Sequence, residues 1–484
     1  MKTNFIFNDI RWRWLLWFVS AIAICALMAQ SVSPLFPFDG WDSAVYRMVS
    51  DCWLRGALPY VDVFDNKGPY LYLIQAIGSW LGGGRWGIFV LVIINFTLII
   101  ELVWQITGVI LNKVSLRLCA LAVFLLHFLL MFERGNLTED WSMAPILLSL
   151  WLAMRRLSEP TDLQIGREVY VYGLCFGVVT LMRPTNSLVF AAIVLGFSGL
   201  LLYQKQFKAL GIATLCFIAG TVAAIAPMAV YFYCHDALGE AFNCVFTYNI
   251  LYAQMWSAVS GDYWPVHNLM LMLPAIIPLA CSFIYDRKNH TRFAVVIIPA
   301  TILFCLIHLN QATYYHYYAL LTPMVAVGGA MILNLHKHLL SVICVALLLP
   351  SCYLKRAEIT SLWKIQPPSF EYIDGSYNGM QCWADYIPTN QRDDVMLFDT
   401  GVGECALYTL MQTVPPMRFT HLTTQLMAVD PAIRAEVDEY LRHNNPQWIL
   451  ISSTSNYPLM QQKLTQYTLV AEDSYLRLFR QHEE

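Results

Sequence analysis

Charge is scarce in this 484-residue chain: Asp, Glu, Lys and Arg make up 13% of it, about half the share usual in soluble domains. Mean hydropathy is +0.51. Together these exclude an ordinary soluble enzyme. The net charge is −3, so there is no bulk basic field and no nucleic-acid partner is expected. The thirteen cysteines contain no CxxC pair and no finger spacing, which argues against a zinc framework. Cys119, Cys175 and Cys216 lie in apolar runs and read as small hydrophobes. Cys382 and Cys405 fall in a polar tail and can pair if that tail lies outside the cytoplasm. Internal repeats and low-complexity tracts are absent.

What is present is hydrophobic length. About eleven stretches are apolar enough to be read as spans, near 14–32, 86–111, 116–132, 141–154, 168–182, 186–203, 209–233, 267–285, 293–309, 315–333 and 339–354. Arg11 and Arg13 precede the first, which reads as a retained signal anchor. With the amino terminus inside, alternate loops carry Lys113 and Arg117; Arg155, Arg156 and Arg167; Lys205 and Lys208; Arg287, Lys288 and Arg292; and Lys337. This alternation follows the positive-inside rule. An odd span count then places the tail outside the cytoplasm. That tail reads as a small α/β unit. DVMLFDTG and QWILIS have the composition of buried strands, AIRAEVDEYLRHNNP that of a helix with a stop, and YTLVAED and YLRLFRQ that of a closing strand pair. The expected fold class is a polytopic α-helical membrane protein with a small C-terminal α/β domain outside. Its transmembrane part is residues 1–356, its first outer loop 33–85, and its extracytoplasmic domain 357–484.

The first loop is the exception to the scarcity of charge. Between Ser33 and Gly84 it holds five aspartates, two arginines and a lysine. The short apolar run Pro69 to Leu81, with proline at its start and Gly82-Gly83-Gly84 at its end, predicts a helix too short to span. Asp39 and Asp42 can act as general base for an acceptor hydroxyl, although Asp42 also suits a helix cap. Lys67, in Asp65-Asn66-Lys67-Gly68-Pro69, sits where a lipid phosphate would meet it as a point charge. Its plainer reading is a snorkelling anchor or a salt bridge to Asp65. Arg183, before Pro184, is either an interface anchor or a second cation. Tyr314 to Tyr318 is either an aromatic belt or a sugar-stacking wall, with His316 as a ligand or phosphate contact.

Taken together, these motifs resemble the GT-C superfamily of polytopic glycosyltransferases. The resemblance is to the branch of lipid A aminoarabinose transferases, protein O-mannosyltransferases and rhizobial galacturonosyltransferases. Three elements carry it. A D-x-x-x-Y runs from Asp42 to Tyr46, a G-x-x-P from Gly56 to Pro59, and a variant of K-P-P-L from Lys67 to Tyr70. The resemblance implies a polyprenyl-phosphate sugar donor and a glycan, lipid or protein acceptor. It implies a multi-pass protein of a bacterial plasma (inner) membrane, acting on the outer face. It carries Asp42 over as base and Lys67 as a donor-phosphate contact, and likens the Tyr314–Pro323 segment, with Tyr315, His316 and Tyr318, to the span that lines the donor cavity. Beside these, Asp39 is the alternate base, Arg183 by its interfacial depth is a second cation for the phosphate, and Asp65 and Tyr46 stand with the donor cavity. Gly68 replaces the first family proline. Asn66 stands where some members carry a glutamate linked to metal, which leaves a divalent metal in doubt here. Two other classes remain open. One is an oligosaccharide polymerase or ligase, which usually carries its large loop later in the chain. The other is a non-catalytic transporter or assembly factor, which places ionisable groups at mid-membrane, where only Glu101 stands among the acidic residues.

Overall fold

The computed structural model describes residues 7, 9–36, 41–158, 166–259, 265–285, 301–302, 305–306, 314–335, 342, 345–356 and 377–482. Six helical segments among them are long and apolar enough to cross a membrane: Ile10–Met28, Arg85–Ile110, Val114–Met131, Pro184–Tyr203, Phe207–Cys234 and Tyr315–Asn334. The expected spans near 141–154, 168–182 and 267–285 are helices as well, Thr138–Ser158, Gly166–Thr180 and Pro265–Tyr285. The first begins with Glu139 and Asp140 and ends with Arg155 and Arg156, and the second has 15 residues. Each therefore falls short of a full apolar span. Most of the expected span 293–309, and part of 339–354, lie outside the described residues.

The chain divides into two compact units. The first comprises Met1–Ala29, Val90–Met228 and Val259–Ile365. Asp9 caps its opening helix by accepting from the Arg11 N–H at 2.9 Å. Four residues on, the buried Arg13 reaches Glu101 with two bonds of 2.9 and 2.8 Å, and Trp17 Nε1 donates to the same carboxylate at 2.9 Å. The one acidic group well inside an expected span is thus neutralised by a bidentate partner, as a buried charge requires. Small residues bring two other helices together. A Cβ on Gly173 would stand 2.1 Å from the Phe217 carbonyl oxygen, and one on Gly220 at 2.1 Å from that of Tyr170. Backbones approach this closely in membranes where the interface residues are small.

The second unit comprises Gln30–Phe89, Ala229–Ala258 and Gln366–Glu484, which gathers the charged loop, a later loop and the tail. The short helix of the loop runs Pro69–Gly82, with Pro69 opening it and Gly83 closing it at φ 70. That is the left-handed stop glycine permits. The tail holds a four-stranded sheet of β1 (Val395–Phe398), β2 (Trp448–Ser452), β3 (Tyr467–Glu472) and β4 (Leu476–Gln481), in the order β1-β2-β4-β3. β1 and β2 are parallel, Val395 opposite Trp448, and the other pairs are antiparallel. The β1–β2 crossover contains the helix Pro431–His443, capped by Asp430 and burying Ile433, Val437 and Leu441 at four-residue spacing. Cys382 is exposed and Cys405 buried, and both thiols are free, so the disulfide raised by their shared tail does not form.

Candidate active site

In the second unit the helix Trp41–Leu54 starts one residue before Asp42, which therefore stands inside its first turn, where the helix dipole favours a carboxylate. Four residues along the same face, Tyr46 donates its hydroxyl to Asp42 Oδ2 at 3.2 Å. The D-x-x-x-Y element is thus a hydrogen bond. Lys67 Nζ lies 5.7 Å from the centroid of the Tyr46 ring. The same ammonium donates to Asn66 Oδ1 at 2.6 Å and faces Asp65 Oδ1 at 3.6 Å. The other oxygen of the buried Asp65 accepts from Tyr72 at 2.7 Å, and Tyr60 donates to the Lys67 carbonyl at 2.8 Å. Asp42, Tyr46, Asp65 and Lys67 are therefore brought together. The remaining described aspartates of the loop are engaged elsewhere: Asp62 accepts from the Leu58 N–H at 2.6 Å, and Asp51 faces Arg47 at 3.8 Å. Asp39 lies outside the described residues.

The tail holds this loop in place. Phe64 N–H donates to the Arg418 carbonyl at 2.9 Å, Arg418 Nη1 donates to the Tyr60 carbonyl at 2.8 Å, and the Phe64 and Phe419 rings pack at 5.1 Å. Two residues further on, the buried His421 lies within electrostatic reach of Asp65, Lys67 and Asp42. Burial pulls its pKa below the ordinary histidine value; Lys67 adds to this and the two aspartates oppose it. Its Nδ1 is 3.1 Å from Thr420 Oγ1 and 3.6 Å from Cys405 Sγ. Burial drives the Cys405 thiol pKa far up, so this Cys–His contact is not an activated nucleophile. Nothing in the sequence near residue 421 marks His421, because the charged groups it faces, Asp42, Asp65 and Lys67, are more than three hundred residues away.

The other site residues lie in the first unit. Arg183 Nη1 pairs with the buried Glu139 at 2.6 Å, and its guanidinium carbon lies 4.2 Å from the Tyr317 centroid. His316 Nδ1 bonds to Glu133 Oε2. Lys355 Nζ meets Glu133 Oε1 at 3.0 Å and sits 4.0 Å from the Tyr315 centroid. Tyr318 is buried at 1% exposure, so Tyr315 and Tyr317 are the rings that carry the cations. Burial alone would raise the Glu133 pKa, but His316 and Lys355 outweigh it and hold it at about 2. Lys355 and Glu133 carried no assigned role in the sequence reading.

In the first-loop cluster the oxygens of Asn66 and Asp65 face the Lys67 ammonium. Among the described residues no three His, Cys, Asp or Glu side chains form a metal-binding group.

No family model matches the chain, and no curated protein sequence matches it. Solved structures do. The ArnT of Cupriavidus metallidurans bound to undecaprenyl phosphate is 14% identical, with a TM-score of 0.54 over 96% of this chain and 97% of that one. The oligosaccharyltransferase of Archaeoglobus fulgidus in its apo form is 13% identical, with a TM-score of 0.55 over 90% of this chain and 69% of that one. The same archaeal protein, AglB, in complex with an inhibitory peptide and a dolichol-phosphate is also 13% identical, with a TM-score of 0.52. Six of its helical segments are long and apolar enough to cross a membrane, and these likenesses show that the chain has the same fold as ArnT and the archaeal oligosaccharyltransferase.

Proposed function

We propose that this protein transfers a sugar from a polyprenyl-phosphate donor to an acceptor hydroxyl on the extracytoplasmic side of a membrane. The observation that carries the reading is the joined set Asp42–Tyr46–Lys67–Asp65. It joins a partly exposed carboxylate, bonded to the hydroxyl of one tyrosine, with a cation over that tyrosine's ring. The ligands of two proteins with the same fold, undecaprenyl phosphate and a dolichol-phosphate, support the donor class. Alternating basic loops support the outward orientation of the tail.

The chemistry follows from these groups. The acceptor oxygen attacks the anomeric carbon as Asp42 takes its proton, forming the new carbon–oxygen bond. The bond from that carbon to the phosphate oxygen breaks, and the polyprenyl phosphate leaves with the electron pair. Lys67 stabilises the charge on the departing phosphate, as preorganised cations do in group transfer. Tyr46 keeps the carboxylate of Asp42 oriented. Attack opposite the leaving group inverts the sugar. Holding donor and acceptor together supplies much of the rate.

The test is Asp42→Asn, assayed with a synthetic short-chain polyprenyl-phosphate sugar. The amide keeps the size of the side chain but takes no proton at neutral pH, so turnover should fall roughly a hundredfold or more while donor binding persists. Wild-type turnover in the variant would remove Asp42 from the role.

A further inference from the structure

The second unit contains one more feature that the transfer chemistry leaves unused. Loop 57–62, the segment 414–419 and the helix Pro431–His443 enclose a half-open cleft of about 470 Å³. That volume is within the range of small-molecule sites. Its lining mixes the charged Asp62, Arg418 and Glu436 with Val61, Pro415 and Tyr440.

The charges of the cleft decide what it can hold. Arg418 is the only cation among its described lining residues, and both terminal nitrogens of its guanidinium are engaged. It donates to the Tyr60 carbonyl at 2.8 Å, to Glu240 at 3.3 Å and to Glu436 at 2.5 Å. The cleft lining thus sets two carboxylates, Asp62 and Glu436, against one arginine, and Glu240 bonds the same arginine from outside that lining. A phosphate or uronate entering here would meet net negative charge, at a cost that grows as water leaves. Neutral hydroxyls and ammonium groups meet acceptors instead. The proline and tyrosine faces suit the flat sides of sugar rings, and Tyr and carboxylate together fix their hydroxyls. A peptide that binds as an added strand needs a free sheet edge, and one that binds as a helix needs an apolar groove. The cleft walls are a loop, a proline-containing segment and one helix, so they supply neither.

We propose that this cleft is a glycan subsite for neutral or amino sugars, and that it selects against anionic ones. Resting on the transferase reading above, it would hold the acceptor glycan. The backbone bond from Phe64 to Arg418 ties its wall to the segment that carries Asp65 and Lys67. The donor phosphate goes to the lysine, and the acceptor goes to the side from which phosphate is repelled.

The experiment uses the full-length protein in lipid nanodiscs, because maltoside detergents are themselves sugars. Saturation-transfer NMR is recorded with chitotriose, its fully deacetylated trimer, trigalacturonate and a neutral Ala-Ser-Ala-Thr-Ala peptide. Val61→Trp fills the cleft from a side chain that is 38% exposed, so the core is not disturbed. Tyr440→Ala removes one wall. The two uncharged or cationic trimers should receive saturation in wild type, and each variant should cut that signal at least fivefold. Trigalacturonate and the peptide should give little. Equal binding of trigalacturonate, binding of the peptide in place of the glycans, or glycan signals unchanged by both variants would each overturn the proposal. Binding of a short-chain polyprenyl phosphate, measured on the same samples, separates the two readings. Donor binding without glycan binding sinks the subsite alone, whereas absent donor binding in wild type sinks the transferase reading.

Discussion

Lys67→Ala removes more than one contact. In the folded chain the ammonium sits 3.6 Å from Asp65, whose side chain is 5% exposed. Deleting it forfeits the charge-assisted bond to an incoming phosphate, worth about 1.5–3 kcal/mol, or roughly tenfold to a hundredfold in affinity. It also uncovers the Asp65 carboxylate. A phosphate about 6 Å away would be repelled by up to about 3 kcal/mol at an effective dielectric constant of about 20. The two losses together predict a donor affinity weakened by roughly 10²–10⁴. The second is recoverable. Asp65→Asn keeps an oxygen able to accept from Tyr72, which donates at 2.7 Å, while removing the charge. Asp65→Asn in the Lys67→Ala background should therefore regain about tenfold. Donor affinity is read by fluorescence anisotropy of a labelled short-chain polyprenyl phosphate at fixed ionic strength. If Lys67→Ala binds within twofold of wild type, the lysine serves only to neutralise Asp65, and the phosphate assignment fails.

Two further outcomes concern stability. Glu101→Gln should leave Arg13 with a buried, uncompensated charge and cost about 3–5 kcal/mol, seen as a lowered thermal midpoint in nanodiscs, while Arg13→Met with Glu101→Met should lose much less. Glu133 titrates at about 2 when folded and near 4.5 otherwise, so its contribution is whole above pH 4.5 and is lost as the pH falls toward 2. That contribution is at most about 3 kcal/mol, and Glu133→Gln should flatten the acid side of the stability profile; an unchanged profile would show that the pairs with His316 and Lys355 carry no net weight.

The sequence disclosed what is local. The run expected at 86–111 is the helix Arg85–Ile110, and that at 116–132 is Val114–Met131, because apolar length alone sets such elements. The short helix after Gly68 and the closing strand pair followed from proline, glycine and alternation. Asp42 with Tyr46, and Lys67 with Asp65, were readable because four residues make one helical turn and two residues are neighbours. The partners that define the rest are remote. Glu139 waits 44 positions from Arg183, and Glu133 waits 183 from His316 and 222 from Lys355. A window of periodicity contains only one side of such a pair. That the Tyr317 ring faces the Arg183 guanidinium is likewise visible only in the tertiary fold.

The clasp between Arg418 and the Tyr60 carbonyl joins residues 358 positions apart. The loop that bears Asp42 and Lys67 is therefore made early, and the segment that holds it is made late. At about 5–20 residues per second, synthesis of the intervening chain takes roughly 20–70 s. During that time the loop lacks the anchor of its backbone and of the Phe64 ring. A nascent or truncated chain ending before residue 418 would carry every candidate residue of the first-loop cluster without the clasp that holds the loop. On the proposed reading, competence is thereby tied to completion, and a partly made chain already threaded into the membrane would be kept from spending a lipid-linked donor.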